Sequence, residues 1–196
     1  MKDFDIREAL IDSGTAEFLD HGFEKASLRT ICKNAKVTTG AFYSYFEKKE
    51  DLFSAIVDPM LEAYHELYFT VVASALSGID GNRDTELRII EFICAHKDEF
   101  MLLFECADGT QYAGFRDRLH NDLFMPTYQA CFDKYAECAV DPAVVRVFMH
   151  MKYTQYMELV YGGYSMEQIR NLVQMYAEFT NAGFISLINC IKKENI

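Results

Sequence analysis

Six cations, Lys25, Arg29, Lys33, Lys36, Lys48 and Lys49, fall in a short stretch whose single acid is Glu47. That stretch carries a net +5, whereas the whole 196-residue chain carries −11. A basic island in an acidic chain fits a local contact with phosphate, because the rest of the surface would repel nucleic acid. Hydroxyls and aromatic rings lie between the cations. Phe42 and Phe46 stand four apart on one helical face and suit a core, while Thr39, Tyr43 and Tyr45 point elsewhere and are left for something outside.

Other chemistry is poorly supported. The five histidines, His21, His65, His96, His120 and His150, are spread one to an element, and neither a glycine-rich phosphate loop nor a G-x-S-x-G turn occurs. Glu62 and His65 have the E-x-x-H spacing of a carboxylate-bridged di-iron site, but such a site needs two of these motifs and further glutamates. An enzyme is not expected, nor any cofactor or metal. The six cysteines, Cys32, Cys94, Cys106, Cys131, Cys138 and Cys190, form no C-x-x-C pair and are expected to be reduced thiols. Cys131 and Cys138 lie seven apart on an expected helix. Two helical turns span about 10 Å, which excludes a bridge within one helix but not one to another helix or subunit. A thiol-sensing regulator is therefore one alternative reading, and a helical protein-binding adaptor without DNA binding is another.

The elements that must carry the basic island read as two short helices joined by a turn. Ser27 can cap the first, with Leu28 and Ile31 as its apolar face, and Ala35 and Val37 flank a break. Thr38 or Thr39 can cap the second. Two short helices at a steep angle make a helix-turn-helix, whose second helix enters the DNA major groove.

Gly22-Phe23, Ser27-Leu28, Ile31, Ala35, Val37, Gly40-Ala41-Phe42-Tyr43, Tyr45-Phe46 and Lys49-Glu50-Asp51-Leu52-Phe53 together resemble the DNA-binding domain of the TetR family of bacterial transcriptional regulators. The resemblance covers about the first quarter of the chain. It implies that Thr38, Thr39, Tyr43 and Tyr45 face DNA, that Ser27 and Lys49 hold phosphates, and that Arg29 reaches a base edge or a phosphate. Gly40 and Ala41 are small enough for a close approach to the groove. The family usually has glycine in the turn where this chain has Lys36; lysine tolerates positive φ at a modest cost and can gain a phosphate contact there. Gly14 stands where the family tends to place alanine and is expected to weaken the first helix slightly.

The remaining chain reads as helix after helix. A first helix from about Asp3 to His21 ends at Gly22, and a long one runs from near Lys48 towards Leu76 with Pro59 as a kink. Ser77 to Arg83 reads as a loop, and Ala107 to Thr110 as a break before a helical stretch from Tyr112 to Cys138 interrupted by Pro126. Asp141-Pro142, Gly162-Gly163 and the Ser165-to-Gln168 capping box bound two last helices, Pro142 to Tyr161 and Met166 to about Lys192. No period-two strand is visible, so the expected fold is all-α: an N-terminal helix-turn-helix domain, residues 1–53, and a larger helical effector-binding and dimerisation domain, residues 54–196.

Phe92, Phe104, Phe124, Tyr128, Phe132, Tyr153 and Met157 could line an apolar cavity for an effector, a prior raised by the family resemblance. The wide apolar wrapping of the last two helices, through Val144, Phe148, Leu172, Tyr176, Phe179, Gly183 and Leu187, suits burial on two sides and hence a homodimer. Two-fold symmetry would present two recognition helices to a roughly palindromic double-stranded DNA operator. The expected protein is a repressor released by a small effector. No signal sequence opens the chain, and no apolar run approaches the roughly 20 residues of a membrane span, so a cytoplasmic location without membrane partners is expected.

Overall fold

The computed structural model describes residues 5–77 and 83–194. Their helices are α1 (Ile6–Lys25), α2 (Leu28–Asn34), α3 (Thr39–Phe42), α4 (Lys49–Ser77), α5 (Arg83–Ala95), α6 (Lys97–Glu105), α7 (Phe115–Arg118), α8 (Met125–Ala136), α9 (Pro142–Tyr161) and α10 (Met166–Glu194). The fold is all-α, with no strand among the described residues. Of the expected loop from Ser77 to Arg83, Ser77 ends α4 and Arg83 begins α5, and residues 78–82 lie outside the described residues. No helix among them is long and apolar enough to cross a membrane.

Contacts divide the chain into two compact units, Met1–His65 with His96–Asp117, and Glu66–Ala95 with Arg118–Ile196. Compactness thus joins α6 and the loop after it to the helix-turn-helix, which the division at residue 53 did not include. Helix α4 contributes its first part to one unit and its last part to the other.

In the first unit, Leu10, Phe18, Ile31, Phe42, Leu52 and Phe53 are fully buried. The Phe53 ring lies 5.3 Å from Phe18, 5.6 Å from Phe23 and 5.8 Å from Tyr112, separations at which edge and tilted aromatic pairs add to simple burial. Gly14 has a packing reason that its helix propensity concealed. A Cβ there would stand 2.8 Å from Leu52 Cδ2 and 3.5 Å from Ile56 Cδ1, so the glycine lets α1 sit close on α4. Helix α1 also does not stop at Gly22: the chain bends there at φ 73° and makes one more turn to Lys25. The Phe23 N–H donates to Cys106 O at 2.9 Å, tying that turn to the end of α6. Tyr112 secures the following loop to α4, its hydroxyl donating to Asp58 Oδ1 at 2.5 Å and lying 3.0 Å from Ser54 Oγ.

In the second unit, one core gathers Phe132 and Ala136 of α8, Val140 of the following loop, Val145 and Met149 of α9, and Ile188 and Ile191 of α10. Another joins Ile90 of α5 to Leu159, Ile169 and Val173. The last two helices start as their capping signals predict. Asp141 accepts from the Ala143 N–H at 2.8 Å, and Ser165 and Gln168 cap each other reciprocally at 2.9 and 3.2 Å. The stretch before α8 differs from expectation. Residues Leu119–Phe124 form a π-helical segment that runs straight into α8, and Pro126 sits in the first turn of α8 rather than interrupting a helix. Helix α8 ends at Ala136, with Glu137 at φ 59°, so Cys138 lies beyond it and does not share a helical face with Cys131.

Candidate nucleic-acid interface

Each helix of the helix-turn-helix begins at a hydroxyl cap. Ser27 Oγ accepts from the Thr30 N–H at 3.3 Å, and Thr38 Oγ1 from the Ala41 N–H at 3.1 Å. The amide of Ser27 donates to Glu17 Oε1 at 2.9 Å. Glu17, only 7% exposed, thereby holds the start of α2 against α1. An isolated glutamate gives no sequence signal for this, since its partner is an amide ten residues away. In the turn, Lys36 takes φ 58° and is exposed, so lysine occupies the left-handed position that the resemblance assigns to glycine.

Phe42 and Phe46 are buried, their rings 5.5 Å apart. Thr38, Thr39, Gly40, Tyr43 and Tyr45 are exposed, the two tyrosines by 58% and 46%. Ser27, Arg29 and Lys36 are exposed as well. Large rings left in water on a basic segment suit stacking on, or packing against, a nucleic acid.

Lys49 departs from its expected role. Its Nζ donates to Phe23 O at 2.5 Å, Ala26 O at 2.9 Å and Glu24 O at 3.3 Å, and stands 4.5 Å from the Phe23 ring centroid. An ammonium has three protons, and here all three meet the carbonyls that end α1. Burial pushes its pKa below the ordinary lysine value. Lys49 is therefore a cap for α1 rather than a free phosphate ligand.

The expected effector residues fall in both units. Phe104 belongs to the first unit and stacks on Phe115 at 6.2 Å, whereas the other six belong to the second. Phe132 is fully buried, 5.0 Å from Phe184 and 5.3 Å from Phe148, with Phe124 and Tyr128 packed on the same core. These three behave as core. Phe92, Tyr153 and Met157 are half-buried. The polar feature that the sequence did not disclose is Lys152 of α9, paired with Glu86 of α5, whose Oε1 also accepts from the Tyr156 hydroxyl at 3.0 Å. Burial lowers the Lys152 pKa to about 8.

The expected dimer residues also separate. Val144, Phe148 and Leu187 pack on the α8–α10 core and Leu172 on the α5 core, while Tyr176, Phe179 and Gly183 are exposed. Val147 and Met151 of α9 and Met175 of α10, which the sequence reading passed over, are exposed with them. Cys32, Cys106 and Cys131 have thiols pushed up by burial, which disfavours the reactive thiolate.

The sequence pattern of the family described as "Bacterial regulatory proteins, tetR family" matches residues 10–56, the helices just described. Over 50 residues the chain is 40% identical to the A-factor receptor protein of Streptomyces griseus, covering 26% of this chain and 18% of that one. It is 37% identical over 62 residues to the HTH-type transcriptional repressor NemR of Escherichia coli K12, 32% of this chain and 31% of NemR. With the probable acrEF/envCD operon repressor of the same organism it shares 44% over 48 residues, 24% and 22% of the two chains. The matches thus span less than a third of these relatives' lengths. Over nearly the whole chain the fold is similar to the ketosteroid transcriptional regulator KstR2 of Mycobacterium tuberculosis, with TM-score 0.66, 17% identity, and 91% and 94% of the two chains covered. A transcriptional regulator from Aquifex aeolicus gives TM-score 0.64 at 13% identity, covering 89% and 99%. Residues 10–56 thus carry the helix-turn-helix of the TetR family of bacterial regulatory proteins, set in a chain whose fold is similar to that of these regulators.

Proposed function

We propose that the chain is a homodimeric transcriptional repressor that binds a palindromic operator and leaves it when a small effector occupies the second unit. The observation that carries this reading is the exposed set Thr38, Thr39, Gly40, Tyr43 and Tyr45 on a TetR-type helix-turn-helix inside the basic island of an acidic chain. Ser27, Arg29 and Lys36 are the phosphate-holding group in this reading, with Arg29 also able to meet a base edge. Repression is supported by relatives whose names describe repressors.

Dimerisation is supported by the exposed apolar stripe of Val147 and Met151 on α9 and Met175, Tyr176 and Phe179 on α10, flanked by the exposed Ala182 and Gly183 that allow a helix to approach closely. Helix α4, which supplies residues to both compact units, is the element through which an effector would act. An effector that prefers one spacing of two DNA-binding units over another shifts the population towards it, and one without that preference has no effect.

The test is selection of bound duplexes from a random pool at two salt concentrations, with wild-type protein and Tyr43→Ala. The expected result is a palindrome bound by wild type with steep salt dependence, and loss of binding in Tyr43→Ala with its oligomeric state unchanged. Absence of any enriched duplex from a folded protein, or undiminished binding by the variant, would refute the assignment.

A further inference from the structure

The segment Val37–Phe46, VTTGAFYSYF, contains no Arg, Lys, Asn, Gln, Asp or Glu. Those are the side chains that read guanine, adenine or cytosine by paired or directed hydrogen bonds in the major groove. Its exposed surface consists of hydroxyl groups, tyrosine rings and the bare backbone of Gly40. Hydroxyls both donate and accept and discriminate weakly between bases. The major groove offers one apolar mark, the 5-methyl group of thymine.

Gly40 is the second observation. A Cβ built there would meet only Thr38 Oγ1, at 3.8 Å, and Gly40 is not among the glycines with positive φ. Gly14 shows the contrast, since its missing Cβ makes room for Leu52. Neither packing nor backbone conformation requires glycine at position 40, and alanine would favour the helical backbone more. Gly40 is exposed, as is the methyl-bearing Thr39 that precedes it.

We infer that this chain reads each operator half-site chiefly through thymine methyl groups seated against Gly40 and Thr39, so that T·A pairs at that position define its sequence preference. This rests on the DNA-binding reading above. Guanine recognition by a cation is left to Arg29, outside the segment.

The test uses the full-length protein and the duplex recovered by selection. Each thymine is replaced in turn by deoxyuridine, which removes the methyl group and keeps every hydrogen-bonding atom. The expected loss is about fourfold for each methyl group in contact, and about fifteenfold when both half-sites are changed. It should be confined to one or two adjacent positions in each half-site. Gly40→Ala should keep or raise the thermal midpoint, lose binding to the thymine duplex by a similar factor or more, and show little further loss on the deoxyuridine duplex. Deoxyuridine tolerated at every position, or Gly40→Ala binding like wild type, would overturn the inference while leaving the DNA-binding reading in place. Failure to recover any duplex would overturn both.

Discussion

Lys49→Met separates a cap from a phosphate ligand. The variant keeps the aliphatic stem and removes the ammonium that meets Phe23 O, Ala26 O and Glu24 O. Hydrogen bonds to a charged group contribute about 1.5–3 kcal/mol each, and two of these three are at 2.9 Å or shorter. The contact over the Phe23 ring adds about 0.5–1 kcal/mol. Part of the sum is recovered, because water reaches the half-buried site and the methionine packs there; a net loss of about 2–3 kcal/mol follows from the low end of these values. With a urea slope of about 2 kcal/mol per molar, the unfolding midpoint should fall by about 1–1.5 M. The chain has no tryptophan, so helical circular dichroism is the suitable signal. Operator affinity should then be measured across a salt series under conditions where the variant is folded, and its salt slope should match that of wild type. An unchanged urea midpoint, with a slope reduced by about 1 for each subunit, would refute the capping argument and restore Lys49 to the phosphate contacts.

Phe132→Ala removes a fully buried ring set between Phe148 and Phe184, and should cost about 3–5 kcal/mol in urea unfolding; a loss below 1 kcal/mol would mean that the ring lines a cavity. Lys152→Met leaves Glu86 without its ammonium partner in a half-buried site and should destabilise by about 3–5 kcal/mol, most of which Lys152→Met with Glu86→Leu should restore. If the double variant is as unstable as the single one, the pair is not the source of the loss. Phe179→Glu places a charge in the exposed apolar stripe of α10, and sedimentation should show monomers at concentrations where wild type is dimeric, with helical content retained. A variant that still dimerises would move the interface elsewhere.

Much of the helical framework was legible because its signals are local. The Ser165–Gln168 box, the Asp141 cap and the hydroxyls of Ser27 and Thr38 each act within three residues of themselves, a range that spacing describes directly. The i, i+4 pair Phe42 and Phe46 likewise told its buried face from the exposed one. Pro126 misled for the opposite reason. A proline read alone signals a break, and the π-helical segment that places it in the first turn of α8 leaves no such mark in the residues.

For this protein the amino-acid sequence by itself determined the all-α class, the order of its capped helices and the basic helix-turn-helix with its outward hydroxyls and tyrosines. Only the tertiary structure decided what individual side chains do there. It turned Lys49 onto carbonyls up to 26 residues away, set Glu17 on the amide of Ser27, gave Gly14 an internal neighbour and left Gly40 open. It also sent Phe148 and Leu187 into the core and left Val147 and Met175 outside. The physical reason is one of range: capping and periodicity are settled within a turn or two, whereas a charge, a missing Cβ or an apolar face acquires its role from distant atoms that only the packed chain brings near.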